Sequence, residues 1–242
     1  MIDNASFFIT QRVATALSGA AANTYFLDRW KSNSAGTSCT RVTAGSPSAE
    51  YSINVTAGSI IQFVDLVNFF GGTYTFSHAG TGTVTIQRNG VTIATRAGAG
   101  EVTFTIDAVG MTSLTIGMGT GTLIRPQLEY GSKATPFFSR SVSDELIQCQ
   151  RFFVRLFSVG FNCPWTGTIG NAFSVRLFWP VQMRAVPTLI FSVAGVTAYQ
   201  VSSWQVDGAT AYSCRLIAFG STTNVMSVDF GASDFIQASC EP

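Results

Sequence analysis

Few residues in this chain could act as acid, base or nucleophile, and their spacing limits the chemistry open to it. The one histidine, His78, sits in Phe76-Ser77-His78-Ala79-Gly80, beside an expected turn, so any Ser-His-Asp or Cys-His relay would have to centre there. No Gly-x-Ser-x-Gly turn accompanies it, and an ordinary turn histidine is expected. Glycoside hydrolysis needs two carboxylates about 5 to 10 Å apart. Among the 13 acids, Asp28, Glu129, Asp144 and Glu145 are expected in structural posts, the last two at a helix start. Five cysteines, Cys39, Cys149, Cys163, Cys214 and Cys240, form no Cys-x-x-Cys pair. They read as small buried hydrophobes in a reducing compartment. No catalytic centre, metal site or cofactor is expected, and no acid cluster points to a structural Ca²⁺.

Non-covalent recognition is better supplied. An open saccharide site needs an aromatic face for the apolar side of a pyranose, with amides, carboxylates or hydroxyls around it. Trp165, in Asn162-Cys163-Pro164-Trp165-Thr166-Gly167, has turn residues on both sides. Tyr199 and Trp204 lie among Gln200, Ser202, Ser203, Gln205 and Asp207, and Tyr212 follows. The candidate ligand-binding set is therefore Trp165, Tyr199, Trp204, Asp207 and Tyr212, although aromatics also serve cores and subunit interfaces. Trp179 shares an alternating face with Phe173, Val175 and Leu177 and is expected in the core. Asp28-Arg29-Trp30 reads as an Asp-Arg ion pair with a stacked indole pinning an early strand.

The elements that would hold these residues are strands. Short runs rich in Val, Ile, Thr, Phe and Tyr are bounded by Gly, Ser and Asn along the whole chain. Thr83 to Gln87 and Val91 to Thr95 alternate around Arg88-Asn89-Gly90, the pattern of a hairpin with a type I′ turn. Further strands are expected at 51–55, 60–67, 73–77, 102–106 and 113–118. After them come 173–179, 188–193, 211–218 and 225–230, a spacing typical of a β-sandwich or jelly roll. One stretch, Ser143 to Phe153, has a Ser N-cap, two first-turn acids and apolar positions at helical spacing.

Composition narrows the partners. Charged residues are 11% of the chain, well under the usual quarter or so, so the surface must be polar through uncharged groups or covered by other subunits. Net charge is +1 with scattered basic residues, which speaks against nucleic acid. The longest apolar stretch, Ile60 to Phe70, is broken by Gln62, Asp65 and Asn68 and is too short to span a membrane. The opening MIDNASFFITQR lacks a signal-peptide layout, and a soluble protein is expected.

Four motifs add a resemblance. Pro126 to Phe137 (PQLEYGSKATPF) followed by Glu145 to Phe153 (ELIQCQRFF) resembles a pattern shared by bacteriophage tail fibre and tail tip proteins. Asn4 to Arg12 (NASFFITQR) with Leu27-Asp28-Arg29-Trp30, and Pro180 to Thr188 (PVQMRAVPT), are similar to further pieces of that pattern, in the same order. The resemblance implies a jelly roll like those of carbohydrate-binding modules, then a β-sandwich tip domain that trimerises. It also implies a location in the virion, after assembly in the host cytoplasm. The expectation is an all-β chain with a jelly-roll domain at 1–138, a helical connector at 139–155 and a second sandwich at 156–242. Its expected work is non-enzymatic binding of host cell-surface glycan during adsorption, as a homo-oligomer docked on other tail proteins. A purely structural virion adaptor or capsid fibre is the first alternative, and a polysaccharide depolymerase the second.

Overall fold

The structure, a computed structural model, describes all residues except 1, 3–4, 8, 13–14, 44–50, 68, 108, 158–160, 164–171, 193–196, 200, 221–225, 230–234 and 242. It describes the backbone alone at 157, 161–163, 172–173, 191–192, 197–199, 201–204, 218, 220, 226–229 and 235. The chain is all-β with one short helix, and it divides into two compact units, Met1–Cys149 and Gln150–Pro242.

Along the first unit run β1 (Ala16–Ala20), β2 (Tyr25–Leu27), β3 (Trp30–Ser32), β4 (Thr37–Thr43), β5 (Tyr51–Ala57) and β6 (Ile60–Phe63). They are followed by β7 (Gly72–Ala79), β8 (Thr83–Arg88), β9 (Val91–Ala97), β10 (Gly100–Ile106), β11 (Leu114–Met118), β12 (Gly121–Tyr130) and helix α1 (Val142–Gln150). The strands pair antiparallel into two six-stranded sheets, β1-β4-β5-β12-β7-β10 and β2-β3-β6-β11-β8-β9. Period-2 patterning decides which side chains lie between them. Val84 and Ile86 on β8 and Leu114, Ile116 and Met118 on β11 enter the core, as do Tyr74, Phe76 and Leu128 from the other sheet. Each fully buried side chain of this size contributes roughly 1.5–3 kcal/mol of hydrophobic stabilisation.

Local chemistry shapes the connections. The β8–β9 turn has Asn89 at φ +50° and Gly90 at φ +79°, the left-handed pair that a type I′ turn requires. The Asn89 Oδ1 also accepts from the backbone N–H groups of Thr112 (2.8 Å) and Ser113 (3.0 Å), so one side chain fixes two loops. Proline is unusual within a central strand, yet Pro126 lies in β12 between β5 and β7. The β12 register shifts between Ile124 and Gln127, with Arg125 at φ +50°, so the proline occupies a bulge where no ladder donor is lost.

The N-cap of helix α1 lies two residues before the expected one. Ser141 Oγ accepts from the Asp144 N–H (3.1 Å) and donates to its carboxylate (2.7 Å), making Ser141, not Ser143, the N-cap. The helix occupies the middle of the expected 139–155 connector and ends at the division between the units. Glu145, almost fully buried, ties it to the first unit by accepting from the Ala5 N–H (3.0 Å) and from Arg140 (3.3 Å).

The second unit contains β13 (Phe153–Phe157), β14 (Phe161–Cys163), β15 (Ala172–Phe178), β16 (Thr188–Ser192) and β17 (Thr197–Tyr199). It continues with β18 (Val201–Asp207), β19 (Ser213–Gly220), β20 (Met226–Asp229) and β21 (Phe235–Ser239). Three antiparallel sheets result, ordered β13-β21-β16, β14-β20-β17 and β15-β19-β18. Val154, Trp179, Met183, Cys214, Leu216, Ile236 and Ala238 form their described core.

Candidate functional site

The sheet β15-β19-β18 carries Trp204 and Asp207 of the sequence-derived set, and Tyr212 immediately precedes its strand β19. Its inner face holds Leu177, Cys214, Leu216 and Val206 against the core. The opposite parity places Ser174, Arg176 and Phe178 of β15 on the outer face, with Arg215 of β19 and Gln205 and Asp207 of β18. Cross-strand register aligns Arg176, Arg215 and Asp207 in one row. Phe178 stands at one end of this face with 68% of its surface exposed. It pairs with Ser213, whose neighbour Tyr212 is 58% exposed. The two open rings therefore lie at the same end of the sheet.

The β18–β19 connection fixes that end. Thr210 accepts at its hydroxyl from the N–H groups of Tyr212 (3.1 Å) and Ser213 (3.0 Å), a hydroxyl-centred turn. Trp179 anchors it from below, donating from its backbone N to the Tyr212 carbonyl (2.9 Å) and from Nε1 to the Thr210 carbonyl (3.1 Å). Trp179 is buried, as the alternation of its strand implied. That same alternation turns Phe178 outward, a signal that screening loops for aromatics passed over.

Asp207 is not a free acceptor. Arg215 grips it bidentately, Nε and Nη2 each donating across 2.8 Å to a different carboxylate oxygen. The hydrogen bonds from Arg215 hold the Asp207 carboxyl below its ordinary pKa, and Asp207 raises the guanidinium in return. Of the remaining expected residues, Tyr199 closes β17 opposite Ser227 and Trp204 lies in β18 opposite Ala218. Trp165 falls outside the described residues.

Several described acids elsewhere hold structural posts. Glu129 accepts from the Thr135 N–H (2.9 Å) and hydroxyl (2.5 Å), while Gln127 donates to the same threonine, so the QLE and ATPF segments clamp each other. Glu101 accepts from Ala134 N, and Asp65 and Asp107 cap their own turns through Val67 N and Val109 N. Asp28 is fully buried and accepts from Gln11 through both backbone N (2.9 Å) and side chain (3.3 Å). Arg12 is an ionic neighbour at 3.8 Å, and the adjacent Arg29 donates to the Phe63 carbonyl. Burial pushes the Asp28 carboxyl above its ordinary pKa, against the pull of Gln11 and Arg12. Trp30 packs on Phe7, ring centres 5.7 Å apart. The NASFFITQR and LDRW segments are thus bound to each other.

His78 lies within β7, not in a turn, and is buried beside Phe76. Neither of its nitrogens makes a hydrogen bond among the described residues. Burial lowers its pKa, with the Gly98 backbone near enough to oppose that shift without normal hydrogen-bond geometry. Cys39, Cys149 and Cys214 are buried free thiols, and burial lifts Cys39 and Cys214 to about 11, far from a reactive thiolate. Among the described residues there is no group of three His, Cys, Asp or Glu able to hold a metal, and no helix is long and apolar enough to cross a membrane.

No family model matches this chain, and no curated protein does. Among solved structures, recombinant discoidin II of Dictyostelium discoideum is similar at 13% identity over 84% of this chain and 82% of that one, with a TM-score of 0.26. Wild-type discoidin II from the same organism is similar at 12% identity over 97% and 92%, with a TM-score of 0.27. At these values the superposition is loose and assigns neither ligand nor activity here.

Proposed function

We propose that this chain is a non-catalytic, glycan-binding component of a bacteriophage tail fibre or tail tip, acting as a homo-oligomer, a trimer by resemblance, during adsorption to the host. The observation that carries the binding part is the outer face of β15-β19-β18. There the exposed Phe178 adjoins the row of Arg176, Arg215 and Asp207, with the exposed Tyr212 at the same end of a sheet whose other side is firmly packed. Open rings beside hydrogen-bonding groups meet the demands of a pyranose, and a rigid sheet spares the ordering cost that a loop site would carry.

A non-catalytic reading is supported by the posts of Asp28, Glu129, Glu145 and Asp207, which tie down backbone segments or an arginine, and by the burial of His78. The virion assignment is supported by the four motifs, two of which are internally clamped, QLE to ATPF and NASFFITQR to LDRW. Oligomerisation is supported by the low charge and by apolar side chains left open in the second unit, Val186 at 65% and Ile190 at 51% exposed. Linked copies would turn weak single-site binding into strong attachment.

The test is binding of the intact protein to host cells and to a glycan array, with reducing-end release assayed in parallel. Phe178→Ala and Tyr212→Ala should each weaken binding, by about tenfold for a loss near 1.4 kcal/mol, without changing oligomeric state. Unaltered binding by both variants, or release of reducing ends, would remove this reading.

A further inference from the structure

The charged row on the outer face is unbalanced. Arg176 and Arg215 occupy directly opposed positions on β15 and β19, where side chains sit roughly 4.5–5.5 Å apart at Cβ and like charges repel. The row holds one carboxylate, Asp207, and Arg215 takes it with two of its donors. Arg176 is exposed and has no ion pair or hydrogen bond among the described residues. Two positions along the same face stands Phe178, its ring open. In a chain with so few charges, an arginine facing another arginine beside an exposed aromatic ring is a costly arrangement for solubility alone. A guanidinium fork matches a carboxylate in plane and spacing.

We infer that the outer face of β15-β19-β18 takes an acidic saccharide, a sugar bearing a ring or side-chain carboxylate, with Arg176 pairing that carboxylate and Phe178 stacking on the ring. This rests on the saccharide-binding reading above and narrows it to a ligand class. Charge complementarity is the argument: the row carries two cations and one anion, so a neutral sugar leaves it unbalanced and a carboxylate completes it. Asp207 has a positioning role, holding Arg215 by two hydrogen bonds and leaving Arg176 to the ligand. Gln205, exposed on the flanking strand, is placed for sugar hydroxyls.

The experiment is titration calorimetry of the intact assembly at ~0.15 M salt, where long-range attraction is screened. The probes are oligogalacturonate and sialyllactose, each with its methyl ester, so that each pair differs only in the carboxylate charge. At least one acid should bind about tenfold more tightly than its uncharged counterpart. Arg176→Gln should abolish that preference, Phe178→Ala should weaken acid and neutral forms alike, and Lys133→Gln, an equal charge change in the first unit, should alter neither. Equal binding of acid and neutral forms, or the same loss from Lys133→Gln as from Arg176→Gln, overturns the acidic preference and leaves the glycan reading standing. Failure of all four probes together with failure of the glycan array overturns both.

Discussion

Single side chains in this molecule do more than one job, which makes their removal informative. Asn89 supplies both the left-handed conformation of its turn and two acceptor contacts to the 112–113 backbone. Asn89→Ala should lower stability by about 1–3 kcal/mol, read as the shift in a urea midpoint at unchanged slope, because alanine strains the turn and leaves donors unpaired. Glu129 gives a pH signature. Partial burial pushes its pKa up, but the hydrogen bonds from Thr135 and Gln127 outweigh this and hold the carboxyl below 4.5. A carboxyl depressed in the fold stabilises above its unfolded pKa, and that contribution is lost as pH falls through the folded one. Thermal midpoints should therefore drop on acidification below about pH 4.5, and Glu129→Gln should show a lower midpoint at neutral pH with a flatter acid limb. Identical limbs for the two proteins would mean that the clamp on Thr135 carries no stability.

Strands and turns show where sequence reasoning reaches its limit. The β8–β9 hairpin was legible because Asn-Gly and alternation agree, and the core position of Trp179 was legible from period 2. β12 was hidden as a strand because Pro126 argues against a central position, and only the bulge at 124–127 reconciles them. The expected strand at 60–67 stops at Phe63 because Asp65 turns the chain by accepting from Val67 N (3.2 Å). Of the candidate face, sequence singled out Asp207 and Tyr212 as ligand contacts, but the bidentate hold of Arg215 on Asp207 and the Arg176–Arg215 opposition depend on register between strands, which no local pattern encodes. Pairing also explains Gly72, whose φ is +147° and where a Cβ would lie 2.7 Å from the Tyr130 ring. That ring stands edge-on to Tyr74 at 5.3 Å. Gly72→Ala should destabilise by more than ~1 kcal/mol, and the penalty should shrink in a Tyr130→Ala background, a coupling measurable by a double-mutant cycle. Additive effects would show that the ring does not depend on the missing side chain.

At the scale of the molecule, two all-β units with few charged residues suit multivalent attachment. Cross-linked copies should outperform single ones: a dilution series by light scattering should show a stable homo-oligomer, and cell binding should fall steeply where it dissociates, because effective concentration is lost with assembly. Monomer that binds cells as tightly as the assembly would contradict this. The claim on which the functional reading turns is that ligand meets the outer face of β15-β19-β18. Hydrogen–deuterium exchange of the intact assembly, with and without host polysaccharide, tests it most directly. Protection should concentrate at residues 174–178 and 205–215 and disappear with Phe178→Ala. Protection confined to other surfaces, or unchanged in that variant, would contradict the account.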